Sequence, residues 1–208
     1  YLVGFFSVFL LGGLTGVMVA VVPFDWQAHD SYFIVAHLHY VLIGGMVFPL
    51  LAGIVYWLPA ATGRLMDERL GRWAFWLLLA GFNIAFLPMH WTGLIGMPRR
   101  VYTYGADMGW SGLNMLSTVG AFVLAAGFAV FAWAVLHAVR RGAQARDNPW
   151  DAGTLEWLEG APMRNHGFTS VPIVRSRYPV WDQPELEEEV RAGRHHLAHA
   201  RSGRRETI

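Results

Sequence analysis

Four apolar stretches, each long enough to cross a lipid bilayer, constrain this 208-residue chain more than any other feature. A helix needs roughly 20 apolar residues to span the ~30 Å hydrocarbon core. Residues 1–23, 32 to about 61, 73 to about 97, and 113–137 all meet that requirement, and the first of these carries only apolar and small polar residues. Inside hydrocarbon each backbone polar group needs an internal partner, which makes these stretches helices. Their connections, PFDWQAHDS, ATGRLMDERLG and PRRVYTYGADMGWSG, are short and polar with Pro or Gly at an edge, so they read as turns. The expected fold is an all-α membrane protein: four antiparallel transmembrane helices within residues 1–146, followed by a polar tail over 147–208.

Composition agrees with a lipid solvent, at 54% hydrophobic and only 15% charged residues. All sixteen basic residues are arginine, and a formal charge of +1 leaves no basic excess for nucleic acid, which excludes that partner. Without cysteine, any metal must be held by His, Asp or Glu. The chain begins at Tyr1, and its opening apolar run has no basic segment before it, so it reads as a fragment or processed product and not as a signal peptide. Arg64, Arg69 and Arg72 in the middle loop and Arg140, Arg141 and Arg146 after the last span outnumber Arg99 and Arg100 on the opposite side. By the positive-inside rule, the middle loop and the C-terminus are cytoplasmic. Gly44, Gly45, Pro49 and Pro88, inside the spans, are read as packing residues.

The tail is Pro-rich at first, with tryptophans suited to a membrane surface or a partner, and ends in a charged stretch that is a frayed helix or disordered. His195, His196 and His199 share a spacing that could serve a metal, but they lack further partners and read as a solvated tail.

His37 and His39 are the chemically loaded residues of the second span. Ionisable groups within a span are costly and by default functional. Two positions apart on a helix means about 200° of rotation and about 3 Å of rise, so the imidazoles leave opposite sides and cannot share one metal. Three readings remain: hydrogen bonding within the bundle, a proton relay, or one axial ligand to each of two separate haems. On the outer side, His29 and Asp30 would stand about 12 Å above His37 if the helix continued that far, and they form a two-donor set suited to Mg²⁺ or Mn²⁺. Arg99 and Arg100 could clasp carboxylates or simply form a solvated turn.

HDSYFIVAHLHYVLIGG, with GMPRR about sixty residues later, resembles the signature of subunit I of the haem-copper oxidases, and the similarity runs from GGLTG to DNPWDAGTLEW. The resemblance implies that His37 is the axial ligand of a high-spin haem facing a copper and His39 one of two axial ligands of a low-spin haem. It implies that His29 and Asp30 belong to a magnesium or manganese site, and that Arg99, Arg100 and Asp25 lie near haem propionates. His90 is left with hydrogen bonding. Further implications are haem of the a type, subunits II and III as partners, cytochrome c as donor, and a bacterial plasma-membrane location. The copper ligands, the second low-spin ligand and the proton-channel entries would lie in an upstream part of subunit I. The implied activity is reduction of O₂ to water coupled to proton pumping.

Overall fold

The computed structural model describes residues 1–158, 160–162 and 172–191, so His195, His196 and His199 lie outside the described residues. The described residues are helical: α1 (Leu2–Ala20), α2 (Val22–Ala28), α3 (Tyr32–Leu42), a wide π turn (Ile43–Val47) leading into α4 (Phe48–Thr62), α5 (Glu68–Leu94), α6 (Ser111–Arg141), and two short helices, α7 (Pro179–Asp182) and α8 (Pro184–Arg191). Four helices are long and apolar enough to cross a membrane: Leu2–Ala20, the continuous Tyr32–Thr62, Glu68–Leu94 and Ser111–Arg141.

The chain divides into two compact units, Tyr1–Val55 with Asp67–His137 and Tyr56–Met66 with Ala138–Ile208. In the first unit, glycines set how closely the helices approach. A Cβ on Gly4 would meet the Phe48 ring, one on Gly12 the Tyr40 backbone at 3.1 Å, and one on Gly16 the His37 ring at 3.0 Å. Contacts that rise along α1 and fall along the second span mean that the two run in opposite directions, and glycine is what allows backbones this near. Gly81 and Gly120 seat α5 against α6 in the same way, facing Leu124 and Ala85 respectively. Between them Val8, Tyr40, Phe48, Leu78, Phe82 and Phe131 form the core.

Much of the remaining apolar surface faces outward, including Phe6, Leu10, Val17, Trp73 and Phe122. Only 17–28% of each spanning window is buried. An apolar face of that extent needs lipid or further helices to cover it.

In the second unit the loop after α4 pairs with the chain after α6. Leu65 N–H donates to Ala143 O at 2.8 Å, Ala145 N–H to Gly63 O at 2.9 Å, and the Arg64 guanidinium to Gly142 O at 2.8 Å. The tail residues Trp150, Glu156 and Trp157 gather on Tyr56, whose hydroxyl donates to Glu156 Oε1 at 2.7 Å and accepts from Trp157 Nε1 at 2.8 Å.

Several boundaries differ from the sequence expectation. The stretch after the first span does not turn directly: Pro23 and Asp25 open a separate helix, α2, because proline is preset for a first helical turn and an acid suits its N-terminus. The third span starts at Glu68 and not near 73, because the Asp67 side chain accepts from the N–H groups of Arg69 and Leu70 and caps it. The last span runs to Arg141, beyond the apolar stretch, with Arg140 and Arg141 favourably placed in its final turn.

Candidate functional site

Ser31 starts the helix that carries the two histidines, its hydroxyl accepting from the Phe33 N–H at 3.2 Å. Because Asp30 adopts a left-handed backbone, φ 59°, and Ser31 an extended one, the helix does not continue upward through His29 and Asp30. The straight extrapolation of about 12 Å therefore does not describe this corner. Instead the chain turns and lies beside the segment after α5. Tyr32 N–H donates to Met97 O at 2.9 Å, Arg99 N–H to Asp30 O at 2.8 Å, and Ser31 bridges Pro98. Residues nearly seventy positions apart are thus held side by side, and the Arg99 guanidinium is paired with the Asp30 carboxylate.

Around that corner, His29 lies 3.7 Å from Asp25 and 3.8 Å from Asp30, too long for hydrogen bonds. The Oδ1 of Asp25 is buried without a hydrogen-bond partner. Arg100 follows with φ 66° and an exposed side chain, and forms no ion pair among the described residues. His29 and Asp30 by themselves are a poor fit to a magnesium ion, which demands near-octahedral oxygen donors, since one Asp30 oxygen already serves Arg99. Among the described residues no group of three or more His, Asp or Glu side chains converges on one point.

Deeper in the helix the two histidines part as their spacing predicts. The His37 ring lies against α1, with Nδ1 3.0 Å from the Thr15 hydroxyl. The His39 ring lies against α5, stacked on Phe86 with centroids 4.2 Å apart and planes 16° from parallel. His39 Nδ1 is 2.7 Å from the Val35 carbonyl one turn back; a carbonyl only accepts, so Nδ1 carries the proton and Nε2 has a free lone pair. At His37 the Thr15 hydroxyl has carbonyls of Leu11 and Gly12 at 3.0 Å to donate to. Its oxygen is then free to accept from Nδ1–H, the tautomer in which Nε2 of His37 is the bare nitrogen. With Nδ1 as donor, each ring offers one unprotonated nitrogen on its own flank of α3, the tautomer that a metal ligand requires.

Sequence reading missed Thr15, Gly16 and Phe86, the residues that aim these rings. A lone hydroxyl within GGLTG was the available signal for the first two. His90, expected to hydrogen-bond, does so at one nitrogen: Nδ1 is 3.3 Å from Leu87 O, while Nε2 is buried without a partner beside the rings of Phe33 and Tyr40. Tyr40 itself donates to Asn83 Oδ1 at 2.7 Å.

A family profile described as "Cytochrome C and Quinol oxidase polypeptide I" matches residues 1–123, more than half of the chain. The chain belongs to that family. Among curated relatives of this oxidase polypeptide I chain is the probable cytochrome c oxidase subunit 1-beta of Nocardia farcinica, 46% identical over 199 residues, covering 94% of this chain and 34% of that protein. Cytochrome c oxidase subunit 1 of Corynebacterium efficiens is 44% identical over 93% of this chain and 34% of its own length, and that of Alkalihalophilus pseudofirmus is 43% identical over 85% and 28%. The chain therefore spans about a third of the length of the curated relatives it matches. A heme-copper terminal oxidase dimer solved by cryo-electron microscopy shares the fold, with TM-score 0.59 and 19% identity over 94% of this chain and 41% of that one.

Proposed function

We propose that this chain is part of the catalytic subunit of a terminal respiratory oxidase and supplies one axial histidine to each of two haems. The observation that carries the reading is the pair His37 and His39: rings on opposite flanks of one helix, each with Nδ1 engaged, which leaves Nε2 to serve a metal. When bound, haem iron supplies one-electron transfer and O₂ chemistry. The protein's part is to present two lone pairs from α3 at nearly one depth, facing apart. His37 belongs to the high-spin haem beside copper and His39 to the low-spin haem. The enzyme takes electrons from cytochrome c, reduces O₂ to water and moves protons outward. The names of the relatives favour cytochrome c over quinol as donor.

The copper ligands and the second low-spin ligand come from an upstream part of subunit I, and subunits II and III complete the complex. Arg99 and Arg100 would hold the haem propionates, with Asp25 in the same region of the outer side. His29 and the Asp30 oxygen that Arg99 leaves free would hold a magnesium or manganese ion only together with ligands from another chain and water. Residues 1–146 form the membrane part, and 147–208 a tail on the cytoplasmic side of a bacterial plasma membrane, as the arginine distribution favours.

The test is made in the full-length subunit. His39→Ala should chiefly remove the low-spin haem spectrum, and His37→Ala should chiefly abolish binding of carbon monoxide at the high-spin haem. Identical spectral losses in both variants at normal assembly would overturn the reading.

A further inference from the structure

Thr15 touches His37, and the functional reading above gives it no part. It stands in an apolar, glycine-rich helix whose other hydroxyl, Ser7, bonds only Gly4 O of its own helix, and a hydroxyl there gains nothing from lipid. Its one proton is satisfied within α1, by Leu11 O or Gly12 O, each at 3.0 Å. The oxygen keeps its lone pairs, and the nearest polar atom of another helix is His37 Nδ1 at 3.0 Å. Donation to a backbone carbonyl polarises the hydroxyl and makes its oxygen a better acceptor. Next to it, Gly16 leaves the space in which the ring sits, since a Cβ there would stand 3.0 Å from His37 Cε1. His39 meets the same need with a backbone carbonyl, Val35 O, which no side-chain substitution removes.

We infer that Thr15 is a positioning residue for His37: its hydroxyl oxygen takes the Nδ1 proton, fixes the tautomer with Nε2 bare, and raises the basicity of that nitrogen, while Gly16 leaves room for the ring. The inference rests on His37 being an axial haem ligand. A hydrogen bond to the non-ligating nitrogen gives the imidazole partial anionic character and makes it a stronger donor. Two consequences follow on loss of the oxygen. The iron–imidazole bond weakens, and the ferric state loses support relative to the ferrous one.

The experiment uses the full-length subunit in its assembled complex, with Thr15→Val, Thr15→Ser, Gly16→Ala and His37→Ala. A further variant, Thr118→Val, removes an exposed α6 hydroxyl that bonds only its own helix. In Thr15→Val the iron–imidazole stretching band of the ferrous high-spin haem, read by resonance Raman, should move to lower frequency and its midpoint potential should rise. Haem retention should fall roughly tenfold or more. Thr15→Ser should restore all three readouts, Gly16→Ala should shift the band with Thr15 still present, and Thr118→Val should change nothing. Thr15→Ala repeats the test without a β-branched side chain if the valine variant assembles poorly. Loss of the band in His37→Ala together with an unmoved band in both Thr15→Val and Thr15→Ala would overturn the role of Thr15 alone. Persistence of the band in His37→Ala would overturn the ligand assignment, and this inference with it.

Discussion

At the scale of single residues, the opposed directions of His37 and His39 were legible in advance because they depend only on the rotation of one helix. Their surroundings were not. Which α1 residue meets His37 depends on how α1 is rotated and how near it comes, and that is set by Gly12 and Gly16 against Tyr40 and His37. The pairing of Asp30 with Arg99 was hidden for another reason: it needs the left-handed turn at Asp30, whereas sequence phase alone carries the helix straight through it. That pairing changes what the two arginines should do. On the propionate reading, Arg100→Gln withdraws one positive charge and should lower a haem midpoint potential, because the reduced cofactor is the more negative state. Arg99→Gln should lower it further, since it also exposes the Asp30 carboxylate, and adding Asp30→Asn should recover most of the difference. Redox titration of the three variants checks the order. Equal shifts in Arg99→Gln and Arg100→Gln would mean that the pairing with Asp30 does not alter what Arg99 does to the haem. For stability the Asp30–Arg99 pair matters little, ~0.2–1 kcal/mol as for other partly exposed ion pairs.

At the scale of elements, hydropathy located all four long helices but misjudged their ends, because ends are fixed by polar capping and by proline. Asp67 is the clear case. Its carboxyl is held below the ordinary 3.8, first by the Leu70 N–H and also by the Arg69 N–H and its charge. A group lowered on folding contributes stability that is complete above its unfolded value and is lost as pH falls through the lowered one. Asp67→Ala should therefore depress the thermal midpoint at neutral pH, and the gap from the parent should narrow as the pH drops below 3.8. Asp67→Asn, which keeps a capping oxygen without the charge, should fall between the two at neutral pH and converge on the parent in acid. A gap that persists unchanged into acid would show that the cap does not act through its charge. The start of α2 carried a comparable signal in Pro23 and Asp25, which read as a turn because the segment is short and polar with a proline at its edge.

At the scale of the whole molecule, this chain spans about a third of its relatives and leaves most of each spanning surface uncovered. The nitrogens that His37 and His39 offer would then face lipid, or empty pockets, in the isolated piece, a costly place for a bare acceptor. Expressed alone, the 208-residue chain should bind neither haem nor copper stoichiometrically and consume no O₂. Expression with the upstream spans should restore both metals and turnover. Metal analysis, haem spectra and oxygen uptake decide the matter, and turnover by the purified piece would contradict the account.

The wide turn after His39 bears on how this helix tolerates changes of length. Phe48 N–H donates to Ile43 O, five residues back, so one residue more than usual is absorbed in that turn. Tyr40 and Phe48 are both fully buried in the same core. Eight α-helical steps between them amount to about 800°, some 80° beyond two whole turns, and absorbing one residue takes back about 100°. The turn thus works as a phase correction: the half of the span that bears the histidines and the half that bears Phe48 and Leu51 can both face inward. Deleting Gly45 and closing the turn to ordinary α geometry would leave seven steps, about 700°, close to two whole turns again. That variant should therefore assemble, whereas deleting Leu38, upstream of the turn, should swing Phe33, Ala36 and His37 about 100° out of phase with Tyr40 and Phe48 and abolish assembly. Comparing membrane-inserted, haem-loaded yield for the two single-residue deletions measures this directly, and equal loss in both would refute it.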